Sequence, residues 1–261
     1  MNIRFDGKLV AVTGAGHGFG REIARSFARL GAVVFATDLD PAELAETAST
    51  GGISTGVVDL RDRAAAAGWI AQIETQTERG IDILVNNAGG VAGQGPLPLE
   101  DVSDQAWNTI FDINVNAAFS LCRAAAPGMK RAAMKRAAMK RAGGGRIVNI
   151  SSSAGLQPSL TGIQAYCSAK HAVVGLTRQL AHELGPFGIT VNSVAPGFIR
   201  TNAATEAQWD SYGAAGQQAL VERIALKRLG SAADIANAVV FFASDLAGFV
   251  NGQVLQVDGG R

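Results

Sequence analysis

Residues 7–31 constrain the fold most. Lys8-Leu9-Val10-Ala11-Val12 is a short apolar run after Gly7, the pattern of a buried strand. Thr13-Gly14-Ala15-Gly16-His17-Gly18-Phe19-Gly20 follows at once. Apolar residues then recur at Phe19, Ile23, Phe27 and Leu30 before Gly31, the period of a helix closed by a glycine cap. Strand, glycine-rich turn and helix together form the context of a dinucleotide site. The glycines let the backbone approach a pyrophosphate, and the helix amino terminus offers free N–H groups and positive potential. The spacing is Gly-x-x-x-Gly-x-Gly at 14, 18 and 20, with Gly16 between.

The next apolar run, Ala32 to Thr37, ends at Asp38, 20 residues beyond Gly18. A carboxylate there accepts hydrogen bonds from ribose hydroxyls and repels a 2′-phosphate. Its sequence neighbours are Thr37 and Leu39, with no Arg or Lys beside it, so the expected cofactor is NAD. Further along, Tyr166 and Lys170 stand four residues apart in an Ala-rich helical pattern, which puts both on one helix face. An ammonium that close is expected to lower the tyrosine pKa and make the phenol an acid and base near neutral pH.

Together with Asn86-Asn87-Ala88-Gly89, these motifs in this order resemble the short-chain dehydrogenase/reductase family from Lys8 to Gly260. The resemblance implies an α/β Rossmann-type fold, a doubly wound parallel sheet of about seven strands with helices on both faces. It implies a catalytic set of Asn114, Ser152, Tyr166 and Lys170. It places Gly14, His17, Gly18, Phe19 and Gly20 at the phosphates. Asp38, Leu39, Asp59, Leu60, Asn87, Ala88 and Gly89 fall around the adenosine, and Pro196, Gly197, Ile199 and Thr201 at the nicotinamide amide. For the serine, strand-end alignment favours Ser152, while counting back from Tyr166 gives Ser153, and both stay open. The reaction implied is hydride transfer between a secondary alcohol and NAD. Tyr166 moves the proton, Ser152 holds the substrate oxygen, and Asn114 holds a water leading to Lys170. The alternative is a ketone or 3-oxoacyl reductase. The complete set argues against a catalytically silent NAD-binding sensor or scaffold.

Strand and helix patterns alternate through all 261 residues, and one domain is expected. Strands are read near 8–12, 32–37, 54–59, 81–86, 146–151, 189–194 and 253–257. Charged residues are only 17%, so some surface is expected to be buried between subunits; the family commonly forms tetramers. Met1 to Asp6 lacks the apolar core of a signal peptide, and no apolar run reaches membrane-spanning length. A cytoplasmic protein is expected, with Cys122 and Cys167 reduced and buried. Two Cys and three His offer no metal constellation.

Residues 129–141 repeat Met-Lys-Arg-Ala-Ala, with ten residues reading as surplus. A five-residue period advances about 140° around a helix, so the methionines are expected on different faces, with no apolar stripe. No aromatics interleave for base stacking, and a solvated insert is favoured over a nucleic-acid tether. Residues 198–230 should form a substrate lid. Its Asn202, Thr205, Glu206, Gln208, Asp210, Gln217 and Gln218 are expected to suit a polyol, sugar or small hydroxy compound.

Overall fold

The computed structural model describes residues 3–138 and 144–261, excepting the side chains of 136–138. Among these, seven strands form one sheet: β1 (Leu9–Thr13), β2 (Val33–Asp38), β3 (Ile53–Val57), β4 (Ile83–Asn86), β5 (Arg146–Ile150), β6 (Thr190–Pro196) and β7 (Val254–Val257). Their order is β3-β2-β1-β4-β5-β6-β7, with every pairing parallel. The chain therefore reverses its winding direction between β1 and β4, where open α/β sheets bind ligands beyond the carboxyl ends of their strands.

Alternating side chains of each strand feed two cores. Val10 and Val12 pack with Ile23 and Phe27 of α1 (Gly18–Arg29) and Ile235 and Val239 of α9 (Ala232–Ala243). Leu9 and Ala11 face the other layer. There Trp69 and Ile73 of α3 (Arg63–Thr77), Leu121 and Ala125 of α5 (Ala117–Ala138) and Leu184 of α6 (Gln164–Leu184) cover them. Parallel strands buried on both faces read as continuous apolar runs, which is why β1 was legible as Leu-Val-Ala-Val. Between β2 and β3 lies α2 (Pro41–Ala48), capped by Asp40, whose carboxylate accepts from the Ala42 and Glu43 N–H groups.

The helix carrying Asn114 runs as α4 (Asp104–Phe111), a π-turn over Asp112–Asn116, then α5. Two units of the repeat lie inside α5, and its remainder from Met139 lies outside the described residues. The first unit is packed against the protein on one side rather than wholly solvated. Met129 is 1% exposed within the second core, and Ala133 is also buried. Lys130 stands over the Phe187 ring, 4.5 Å from its centre, and Arg131 pairs with Glu74 at 3.4 Å. Met134 is 56% exposed, so Met129 and Met134 do fall on different faces. Truncating Met129 to Ala should cost about 2–5 kcal/mol. Met134→Ala should stay within about 0.5 kcal/mol of wild type. Denaturant midpoints read the difference, and equal values would place both units on the surface.

Candidate active site

The glycine turn joins β1 to α1 through contacts that a side chain would block. Gly14 has φ +62°, and a Cβ there would lie 2.8 Å from the Ala88 Cα; one at Gly20 would collide with the Gly14 carbonyl. Gly18 faces Thr201, 3.2 Å from where its Cβ would be. The exposed His17 at the α1 amino terminus supplies no side-chain cap, and the first turn carries no acidic residue. Its N–H groups and positive end are thus available to an anion. These features fit a dinucleotide pyrophosphate.

Asn87 ties this turn to β4. Its Nδ2 donates to the carbonyls of Thr13 (3.0 Å) and Gly14 (2.9 Å). The Asn87 and Ala88 N–H groups in turn donate to the buried Thr13 hydroxyl at 3.1 and 3.0 Å. The amide expected near the ribose is therefore spent on the turn, leaving Oδ1 for a ligand. At the end of β2, Asp38 Oδ2 accepts from the Gly16 N–H at 2.8 Å and Oδ1 from Leu39 at 2.7 Å. Leu39 is exposed, so an apolar contact is open beside that carboxylate. Asp59 is paired with Arg61 at 2.6 Å, which holds its carboxyl below the ordinary range. Leu60 points into the second core and offers a ligand only its backbone. Ile199 likewise sits in the first core, and the Gly197 N–H holds the Val257 carbonyl at 3.1 Å after Pro196 ends β6.

The catalytic candidates meet where β5 and α6 converge. Lys170 is 3% exposed; its Nζ donates to the Ile150 carbonyl at 3.0 Å, and burial pushes its pKa down to about 8. A Cβ on Gly89 would lie 3.2 Å from that Nζ and 2.5 Å from Asn114 Oδ1, so the Asn-Asn-Ala-Gly loop reaches both. Asn114 is buried in the π-turn, a feature frequent at functional sites. Its Oδ1 accepts from the Gly90 N–H at 2.9 Å, and its Nδ2 donates to Gly90 and Ile110 carbonyls at 2.8 Å each.

Tyr166, one turn before Lys170, packs against Ile110, Ile163 and Ala169. Burial raises its pKa, and a hydrogen bond with Ser152 pulls it down. The lysine effect expected from sequence is not what sets this tyrosine: Lys170 Nζ lies 5.7 Å from the ring centre, and desolvation dominates. Ser152 faces Tyr166 while its hydroxyl also accepts from the Ala154 N–H at 3.1 Å. Ser151 is buried and donates to the Lys170 carbonyl at 3.0 Å. Ser153 opens a short 3-10 turn. Of the three serines, the structure brings Ser152 to the tyrosine.

Two further expectations change. Cys122 is buried, its thiol pushed up to about 12, but Cys167 is partly exposed beside His171. The polar lid residues largely satisfy one another. Asn202 and Thr205 form the capping box of α7 (Ala203–Ser211). Glu206 pairs with Arg200, Gln208 holds the Tyr212 hydroxyl, and Gln217, in α8 (Gly213–Arg223), holds the Trp209 carbonyl. Phe198 packs on Trp209 and Tyr212 at 6.1 and 5.9 Å. Lid polarity therefore says little about substrate polarity. Sequence reading assigned no role to Thr13 or to the buried chain Asn86–Asn149–Thr177 beneath the site, bonded at 2.8 and 2.9 Å. No period or spacing marks Asn149 or Thr177, and the motifs that contain Thr13 and Asn86 do not reveal these bonds.

The family model described as enoyl-(acyl carrier protein) reductase matches residues 14–261. The chain is a member of the short-chain dehydrogenase/reductase family. It is 39% identical to D-threitol dehydrogenase of Mycolicibacterium smegmatis, over 100% of this chain and 95% of that one. It is 37% identical to 3-oxoacyl-[acyl-carrier-protein] reductase FabG of Pseudomonas aeruginosa, over 97% of each. A solved structure from Beutenbergia cavernae, provisionally named an NAD(P) dependent gluconate 5-dehydrogenase with NADP bound at low occupancy, superposes with TM-score 0.86. That chain is 36% identical, covering 100% of this chain and 98% of its own. Family and fold place this protein among oxidoreductases that use a nicotinamide cofactor. Among the described residues there is no metal-binding cluster, and no helix is long and apolar enough to cross a membrane.

The displaced lysine pKa has a sign that can be checked. Lys170 holds its proton to about 8 when folded against an ordinary 10.5. Between those values the unfolded chain binds more protons, so this group makes stability rise with pH. Relative to Lys170→Met, wild type should gain stability between about pH 8 and 10.5, read by urea midpoints. A parallel pH course of the two proteins would show that Lys170 is not so displaced.

Proposed function

We propose that this protein is an NAD-dependent oxidoreductase that moves a hydride between a secondary alcohol, a polyol, sugar or small hydroxy compound, and NAD. The placement of Tyr166 between Ser152 and Lys170, whose ammonium lies beside Gly89, carries this reading. When bound, the nicotinamide accepts or gives the hydride and adds a positive charge beside the site in its oxidised form. Tyr166 as phenolate takes the alcohol proton and, in reverse, returns it to an alkoxide. Ser152 holds the substrate oxygen as charge develops on it. Lys170, charged below about pH 8 and 5.7 Å from the Tyr166 ring centre, passes the proton onward. Both Asn114 amide donors are used, so a relay water there needs an acceptor rather than its N–H. Gly14, Gly18 and Gly20 cradle the pyrophosphate, and Thr201 stands across from Gly18.

Asp38 supports NAD over NADP, since its carboxylate stands where a 2′-phosphate would be repelled. The threitol dehydrogenase relative supports a polyol-like substrate. The FabG relative and the NADP in the gluconate dehydrogenase structure favour a second reading, reduction of a ketone or 3-oxoacyl thioester. A homo-oligomer working in the cytoplasm, without nucleic acid or membrane partners, completes the proposal.

NADH formation across polyols, sugars and small secondary alcohols is the test. Turnover should appear with NAD, rise with pH as Tyr166 loses its proton, and fall about 10²–10⁴-fold in Tyr166→Phe. Turnover confined to ketones with NADPH would establish the second reading instead. Undiminished activity in Tyr166→Phe would remove the tyrosine from the chemistry.

A further inference from the structure

Arg21 follows the last glycine of the turn, and its guanidinium is committed on the adenosine side of the site. Its Nε and Nη2 donate to the Gly16 carbonyl at 2.9 and 2.5 Å. Nε also reaches the Thr47 hydroxyl at 3.2 Å. Nη1 binds Glu46 at 2.5 Å, and Nη2 pairs with Glu43. Thr47, itself buried, donates to the Ala15 carbonyl at 2.7 Å. One cation thus fastens α2 to the glycine turn.

Gly16 links this cluster to Asp38. Its N–H is on the Asp38 carboxylate and its carbonyl is on Arg21. A Cβ at Gly16 would lie 2.9 Å from Asp38 Cγ and 3.1 Å from Glu43 Cβ, so both acidic residues crowd the same point. An arginine near the ribose-binding carboxylate is the group that accommodates a 2′-phosphate in dinucleotide sites. Here the guanidinium is present, and two carboxylates neutralise it.

We propose that Glu43, backed by Glu46, is a specificity-determining residue: by holding Arg21 it keeps a nearby cation from serving a 2′-phosphate. Discrimination between NAD and NADP then rests on the Arg21–Glu43 pair as well as on Asp38. The inference depends on the proposed seating of the adenosine ribose at Asp38. The Glu43 side chain is 41% exposed and that of Arg21 18%. Water screens such a pair only in part, and releasing it should have a moderate, salt-sensitive effect.

A double-mutant cycle on cofactor affinity tests this without catalysis. NADH and NADPH dissociation constants would be measured by fluorescence titration for wild type, Glu43→Gln, Arg21→Gln and the double variant. Thermal unfolding would confirm that each is folded; Glu43→Ala and Arg21→Met stand in for any that is not. Glu43→Gln should tighten NADPH relative to NADH about five- to twentyfold, and the gain should vanish without Arg21. An unchanged ratio, or the same gain in the Arg21→Gln background, would overturn the proposal, the latter making Glu43 a simple repulsive charge. Wild type that prefers NADPH would remove the Asp38 reading alone, while the cycle still reports on the Arg21–Glu43 pair.

Discussion

Taking an ammonium group out of water costs several kcal/mol unless protein groups replace the lost solvent, and Lys170 is almost wholly buried. The surrounding chain is arranged to meet that demand. The Ile150 carbonyl at the end of β5 accepts from its Nζ, and Ser151 binds its main-chain carbonyl. Gly155 packs so closely on that same carbonyl that a Cβ would lie 2.6 Å from its oxygen. These contacts fix α6 along its length, and so fix Tyr166 one turn earlier. Gly89 closes over the ammonium from β4, and Asn114 pins Gly89 through Gly90. Replacing Gly89 by any larger residue would push into both Asn114 and Lys170.

The adenosine half rests on a different constraint. At the switch point between β1 and β4 the backbone itself must approach a ligand, so polar side chains there serve the backbone first. Thr13 and Asn87 lock the two strand ends together, and Asp38 and Arg21 hold opposite ends of Gly16. The hydrogen bonds that shape the turn and those available to a cofactor come from the same few groups. A substitution at any of them would alter turn geometry along with affinity.

The sheet was legible because its signals are local. Each of the seven strands lies within a few residues of its reading, from apolar runs bounded by glycines, and Asn114, Ser152, Tyr166 and Lys170 lie around the carboxyl ends of β4 and β5. What escaped is tertiary. The Tyr166 pKa moves up because packing against the cluster of Ile110, Ile163 and Ala169 desolvates the phenol, which a four-residue spacing cannot reveal. Leu60 and Ile199, expected at the cofactor, turn into the cores. Asn202, Gln208 and Gln217 look like substrate ligands in a sequence, and in space they bind their own lid. Identical Met-Lys-Arg units part ways because a five-residue step rotates them, taking Met129 inside and Met134 out.

The central claim is that burial makes Tyr166 a weak acid which bound oxidised cofactor brings into working range. The chain has two tyrosines, so ultraviolet difference titration with Tyr166→Phe subtracted isolates its ionisation from that of Tyr212. Free protein should ionise Tyr166 above the ordinary value of about 10, and saturating NAD should shift that ionisation downward. A Tyr166 that ionises at or below its ordinary value without cofactor, or does not respond to NAD, would contradict the account.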